Sequence, residues 1–282
     1  LMQTGSIHIA QQRIEEPDAQ SAYAVLRNVA QRTNLAEGSE GVRRIVRAIA
    51  QGGSTPLHEL CRLVSMPVPV VAAVRRELEK LGLVCRRGGV TLSSSGYHLA
   101  HDGLNLSKIK LPRPPTPYPI PNALKVLLPQ MQTIWETRPR IDPSLDQSHS
   151  TTETALKRAY YLFQQGSLEG LNVMILGDDD LTSLAINLIA EEMEFKLASL
   201  VVLEKDARLA DFLVQKNKEL GASVSVVNVD LRNPLPTRLA SCSDIFFTDP
   251  PYTIEGFELF VSRGVEGLKT QVGKRGFICY GT

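Results

Sequence analysis

A parallel α/β domain carried behind a smaller helical one is what this sequence predicts, on three observations. From Thr151 onward, apolar runs of strand length alternate with stretches of helical periodicity. That alternation builds a parallel sheet with helices on both faces. Before it, three helical stretches precede two short β-runs around a Gly88-Gly89 turn, the order of a winged helix-turn-helix. Between the two lie residues 111–121, where six of eleven residues are proline, a composition that keeps a chain extended and semi-rigid. With 282 residues, 43% apolar and 22% charged, the chain can support two cores. The expected division is 1–107 for the helical domain, 108–150 for a linker and connecting segment, and 151–282 for the α/β domain.

The elements follow in order. Residues 1–38 are polar and weakly patterned, with one helix expected at 19–33; the start, Leu1-Met2-Gln3, reads as a trimmed N-terminus. Val42, Ile45, Val46 and Ile49 recur with helical spacing and predict a helix over 41–51. Pro56 closes a Gly-Gly turn and suits the first turn of a second helix, 57–65. A third is expected over 67–83, with Val71, Val74, Leu78 and Leu81 on one face, and a hairpin over 83–92. A short helix is expected at 122–134, irregular chain at 133–147, and a helix at 152–165 built on Ala155, Ala159 and Leu162. Strands are expected at 172–176, 200–203, 223–229, 244–248 and 276–280, with helices at 181–194, 206–220 and 257–268. The last strand ends two residues from Thr282, so the sheet reads as stopping short of two further strands.

Net charge is +1, so bulk electrostatics do not draw the molecule to polyanions. Arg75, Arg76, Lys80, Arg86 and Arg87 could contact a duplex, but Glu77 and Glu79 on the same helix repel phosphate. A packing or dimerisation role is favoured for this domain, and a homodimer is expected. Cys61, Cys85, Cys242 and Cys279 are scattered without a CxxC, so neither a zinc site nor a disulfide framework is expected. No signal peptide or apolar run of membrane-spanning length stands out, which predicts a soluble cytoplasmic protein.

The chemistry gathers at strand ends, where open α/β sheets bind ligands. Asn172-Val-Met-Ile-Leu176 breaks at Gly177, as a nucleotide-binding domain begins, yet Asp178, Asp179 and Asp180 replace the usual glycines. Adjacent carboxylates repel one another and a pyrophosphate, and call for a cation. One or two could simply suit a helix N-terminus; three at a ligand face point to a metal or an organic polycation, and no further ligand-spaced residues favour the metal. Glu204, 27 residues after Gly177, can accept ribose hydroxyls from the end of the second strand. Asp230, after the third, suits an adenine amino group or a plain turn. After the fourth comes Asp249-Pro250-Pro251-Tyr252: two prolines hold the backbone extended, and the aromatic can stack on a base or shield a cation. All five histidines (His8, His58, His98, His101, His149) precede the α/β domain. A histidine general base from that domain is therefore excluded, and the proton acceptor is expected to be a carboxylate, a tyrosine or water.

Asp146-Gln147, Thr152-Glu153-Thr154, Gly177-Asp178-Asp179-Asp180-Leu181 and Thr248-Asp249-Pro250-Pro251 resemble the branched-chain polyamine synthases of thermophiles. The resemblance implies a Rossmann-like class I nucleoside-transferase domain behind a winged-helix-like one. It implies two successive aminopropyl transfers from decarboxylated S-adenosylmethionine to the central amine of spermidine, with no metal. It puts the Gly-Asp-Asp-Asp motif at the catalytic centre, here Asp178, Asp179 and Asp180 assisted by Asp249. Gly177, Glu204, Asp230 and Gln147 would hold the donor, and Tyr252, Asp146 and Pro250 the acceptor. Three aspartates would also repel the carboxylate of the intact donor. Two other readings compete: an amino methyltransferase acting on nucleic acid, which also uses an Asp-Pro-Pro-Tyr motif, and a regulator with a ligand-sensing α/β domain. The acidic first loop and near-zero net charge count against the first; the second calls for a strongly basic recognition helix, which the sequence does not show.

Overall fold

The computed structural model describes residues 19–110 and 120–280. The expectations for residues 1–18 and for most of the proline-rich segment, 111–119, lie outside them. The first domain comprises α1 (Ala19–Arg32), α2 (Gly38–Gly52), α3 (Leu57–Val64), α4 (Val68–Lys80) and the antiparallel hairpin β1 (Val84–Arg86) with β2 (Val90–Leu92). Helix α4 stops before the expected 83 because Gly82 turns left-handed (φ 69°). Leu83 N–H then reaches back to the Leu78 carbonyl at 2.9 Å, a glycine-closed helix end. A short α5 (Ser94–His98), absent from the sequence reading, is opened by Ser93, whose hydroxyl accepts Gly96 N–H at 3.1 Å.

After a 3-10 turn (Asn122–Leu127), α6 (Leu128–Glu136) extends helix into the stretch read as irregular, and a second 3-10 turn follows at Pro143–Leu145. This connecting segment is part of the second core: Leu124, Leu127, Met131 and Ile134 pack with α7 (Thr152–Gln164) and the sheet. Then come β3 (Asn172–Leu176), α8 (Thr182–Glu192), β4 (Ser199–Glu204), α9 (Ala207–Glu219), β5 (Ser225–Asn228), β6 (Ile245–Thr248), α10 (Ile254–Gly267) and β7 (Arg275–Ile278). The five strands run parallel in the order β5-β4-β3-β6-β7. The chain winds outward from β3 to β5, then returns to β6 on the other side. That reversal opens a crevice above the carboxyl ends of β3 and β6.

Strand alternation divides the core. Val173 and Ile175 face α6, α7, α8 and α9, while Met174 and Leu176 face α10 and the 231–239 segment. Helix α10 comes close because it is glycine there: a Cβ at Gly264 would sit 2.6 Å from the Phe246 ring, and one at Gly267 2.6 Å from Met174 Sδ. Among the described residues, no single helix is long and apolar enough to cross a membrane.

The two domains are joined by a buried charge network. Arg43, fully buried, donates to both Glu40 oxygens (2.8 and 3.0 Å) and to the carbonyls of Glu169 (3.1 Å) and Gly166. Glu169 in turn pairs with Arg47 and accepts Ser107 N–H at 3.1 Å. Removing one partner of such a network strands the other in low dielectric. Arg43→Ala is expected to lower the unfolding free energy by about 3–5 kcal/mol, measured by chemical denaturation; a loss of under about 1 kcal/mol, the surface-pair range, would contradict this account.

Candidate active site

A cavity of about 560 Å³ occupies the crevice between β3 and β6. Its floor is the Gly177–Asp180 loop, its sides the ends of β4, β5 and β6, and its outer wall residues 144–150. Gly177 opens the loop in the left-handed region (φ 69°), with Phe260 of α10 close enough that a Cβ would lie 3.4 Å from its ring.

Of the residues singled out in the sequence, Gly177, Asp179, Asp180, Glu204, Asp230, Asp146, Gln147, Asp249, Pro250 and Tyr252 all line this cavity. Asp178 does not. It is 1% exposed and turned toward α8, where its carboxylate accepts the Ser183 N–H (3.2 Å) and hydroxyl. The expectation of three carboxylates facing the ligand is therefore corrected to two, with Asp178 tying down the helix start. Burial holds the Asp178 carboxyl well above the usual carboxylate range.

Asp179 and Asp180 are gripped from the outer wall by two alternate backbone amides. Ser148 N–H donates to Asp179 Oδ2 at 3.0 Å, and Ser150 N–H donates to Asp180 Oδ1. Asp180 and Asp249 are further bridged by one guanidinium: Arg158 of α7 gives Nη1 to Asp180 and Nη2 to Asp249. The cluster therefore already holds a cation of the chain's own, where the sequence reading called for an external one. Among the described residues, no group donates to Asp179 Oδ1. Burial, and then the neighbouring Asp180 charge, push the Asp179 carboxyl up to about 7.

Glu204 is anchored at both oxygens, by Asp178 N–H (3.1 Å) and Asp206 N–H (2.8 Å), and burial raises its carboxyl. Asp230 is paired with Arg232 and with Lys205 (3.3 Å). The hydrogen bonds from Arg232 hold it far below the ordinary range. Gln147 spans the wall, accepting Asp142 N–H at 2.7 Å and donating to Asp206 at 3.2 Å. Tyr252 is 62% exposed and meets the Tyr280 ring edge-on at 5.1 Å.

Arg158 and His149 line the cavity too, though the sequence reading gave neither a role there. Arg158 had a signal: it is a lone base on the helix face of Ala155 and Leu162. His149 lines the cavity from the segment before the α/β domain. Excluding histidine from that domain was accurate for the domain but does not hold for the site. Burial, then the positive charge of Arg138, lower the His149 imidazole and favour its neutral form. Among the described residues, no three His, Cys, Asp or Glu side chains gather in a way that could hold a metal ion.

Fold and site define a Rossmann-like α/β domain with an acid-floored crevice at its topological switch point. Comparison narrows this. The branched-chain polyamine synthase A C-terminal domain matches residues 126–282. An uncharacterised protein of Methanocaldococcus jannaschii is 32% identical over 275 residues, 95% of this chain and 68% of that one. The N(4)-bis(aminopropyl)spermidine synthase of Thermococcus kodakarensis is 30% identical over 257 residues, 87% of this chain and 69% of that one. A crystal structure of the branched-chain polyamine synthase C9 mutein of Thermus thermophilus, with N4-aminopropylspermidine and 5'-methylthioadenosine, aligns with TM-score 0.51 and 27% identity, covering 93% of this chain and 72% of that one. The chain belongs to the branched-chain polyamine synthase family.

The elevated Asp179 carboxyl has a consequence for stability. An unfolded aspartate titrates near about 3.9, so between about pH 4 and pH 7 the folded state binds the extra proton. Stability conferred by this group is complete below pH 4 and is lost as pH rises through 7. Asp179→Asn removes that loss: its thermal midpoint should exceed the parent's at pH 8 and match it near pH 4. Parallel midpoint-versus-pH curves for the two proteins would contradict the assignment.

Proposed function

We infer that the chain is an aminopropyltransferase. It moves aminopropyl groups from decarboxylated S-adenosylmethionine to the N4 amine of spermidine, releasing 5'-methylthioadenosine. The observation that carries this reading is an acid-floored nucleoside crevice in a chain whose Thermus relative holds both the singly transferred polyamine and the spent donor.

The chemistry follows from charge and valence. The donor is a sulfonium with an ammonium tail and no carboxylate, so an acidic floor tolerates it and repels the intact donor. Neutral N4 attacks the propyl carbon bound to sulfur. The C–S bond breaks with its electron pair going to sulfur, and the leaving group becomes a neutral thioether. Each transfer begins from an ammonium that must first lose a proton. After the first attack, the nitrogen keeps a proton that must leave before the second; after the second, it is quaternary. Asp179 is our choice for the group that takes this proton: it faces the cavity and retains an unbonded oxygen. His149, neutral on the outer wall, can pass the proton outward. Glu204 and Gln147 form the donor wall, with Asp230 at its far end; Tyr252, Asp146 and Pro250 flank the acceptor. Alignment of amine, carbon and sulfur supplies most of the rate.

We read the N-terminal helices and hairpin as winged-helix-like, with a packing rather than a duplex-binding role. Arg75 is 5% exposed and bonded to Glu79 (2.6 Å), Arg86 shares Glu79 (3.2 Å), and Lys80 takes Glu77 (2.6 Å). These acids occupy three of the five bases that a phosphate backbone would need. A homodimer through this domain is a further proposal, read by sedimentation.

Spermidine incubated with the protein and the decarboxylated donor should gain aminopropyl groups by mass spectrometry, and the intact donor should yield none. Asp179→Asn should lower turnover by about 10²-fold or more, the range of a lost general base, whereas Asp178→Asn should keep most of it. No aminopropylated product from the parent protein would sink the reading.

A further inference from the structure

The acidic floor poses a problem for the chemistry inferred for it. Carboxylates bind ammonium groups well, but an ammonium held among them becomes a weaker acid: the negative field keeps its proton on, and a protonated amine cannot attack. Spermidine has three amines, and three equivalent carboxylates at Asp179, Asp180 and Asp249 would hold any of them charged. The structure breaks that equivalence. Arg158 reaches from α7, between Ala155 and Leu162 on the buried face, and spans the gap between the β3 and β6 loops. Asp180 and Asp249 each give it one oxygen. Its side chain is 14% exposed, and both acids are largely buried with it. Asp179 stands beside this bridge and outside it.

We propose that Arg158 is a positioning residue, a built-in counter-cation that withdraws Asp180 and Asp249 from competition for the polyamine and leaves Asp179 to meet the reacting amine. The proposal rests on the transferase reading and adds to it a residue that touches no reacting atom. A guanidinium suits the task because it stays charged at every relevant pH and its fork can serve two carboxylates at once; a lysine ammonium carries the charge without the fork.

Several charged or titratable groups surround the bridge. Asp179 and Asp180 follow β3, Glu204 ends β4, Asp249 follows β6 and Cys279 follows β7; Arg138 follows α6, and His149 lies on the outer wall. Removing one positive charge from this set has a defined sign. Polycation binding in the ground state should strengthen, because two carboxylates are released. Turnover should fall, because the reacting amine keeps its proton and Asp179 titrates higher. A residue that merely fastened α7 to the sheet would loosen the site and weaken binding instead.

The test compares the parent protein with Arg158→Gln and Arg158→Lys, using spermidine and the decarboxylated donor across pH 6–10. For Arg158→Gln we expect kcat at pH 8 to fall at least tenfold, KM for spermidine to fall or hold, and the acidic limb of the kcat profile to move up by about one unit. Arg158→Lys should recover most of the limb position. A rise in KM with an unmoved limb would overturn the proposal and leave Arg158 as a fastener. Should Arg158→Gln fail to fold, the guanidinium resonances of Arg158 in the parent protein decide by NMR. They should stay in slow exchange when spermidine is added, and their release by spermidine would overturn the proposal. The NMR readout needs no turnover. A parent protein that binds spermidine with the bridge intact but makes no product would therefore refute the transferase reading separately.

Discussion

One guanidinium crossing between two strand ends organises this site. The doubly wound sheet brings the β3 and β6 loops side by side, and each loop ends in carboxylates that would repel one another without compensation. Arg158 compensates two of them from a helix that precedes the whole sheet in sequence. Fold and chemistry meet at this contact: α7 must lie against β3 for the arginine to arrive, and the crevice must be acidic for its arrival to be stabilising.

The outer wall depends on the same contact. Ser148 and Ser150 point their amides at Asp179 and Asp180, which sets His149 between them at the cavity surface. The wall is held also by Gln147, bonded to Asp206 at the start of α9. Residues 144–150 are thus fastened to the sheet at three points, all of them hydrogen bonds to acids at strand ends or helix starts. The helical domain stands further off and is attached through Arg43, Arg47 and Glu169, a network without cavity-lining members.

Much of this was legible in the residues. After Asn172 the run Val173–Leu176 is apolar without interruption, as a strand buried on both faces must be, and the bounds of β3 are those read from the sequence. Strand β5 is an edge strand with half its residues exposed, so its pattern is weaker and the expected 223–229 overran Ser225–Asn228. The acids were legible because parallel sheets deliver every strand end to one side. Their orientations were not. Asp178 turns inward because the chain passes through a left-handed Leu181 (φ 60°) into α8, a local conformation that no spacing rule announces. Arg158 meets Asp180 across 22 residues and Asp249 across 91, and pairings of that range are settled by the fold. His149 was set aside because the boundary drawn at 150 put it outside the α/β domain, whereas the wall it belongs to is packed against that domain's site.

The central claim is that the charge of this crevice selects its donor. Its most direct measurement is the equilibrium affinity of the parent protein for decarboxylated and for intact S-adenosylmethionine, by calorimetry without acceptor. The two ligands differ by one carboxylate, which the acids lining the cavity repel. The account predicts tighter binding of the decarboxylated donor by at least about tenfold, or about 1.4 kcal/mol. Equal affinities, or a preference for the carboxylated donor, would contradict it.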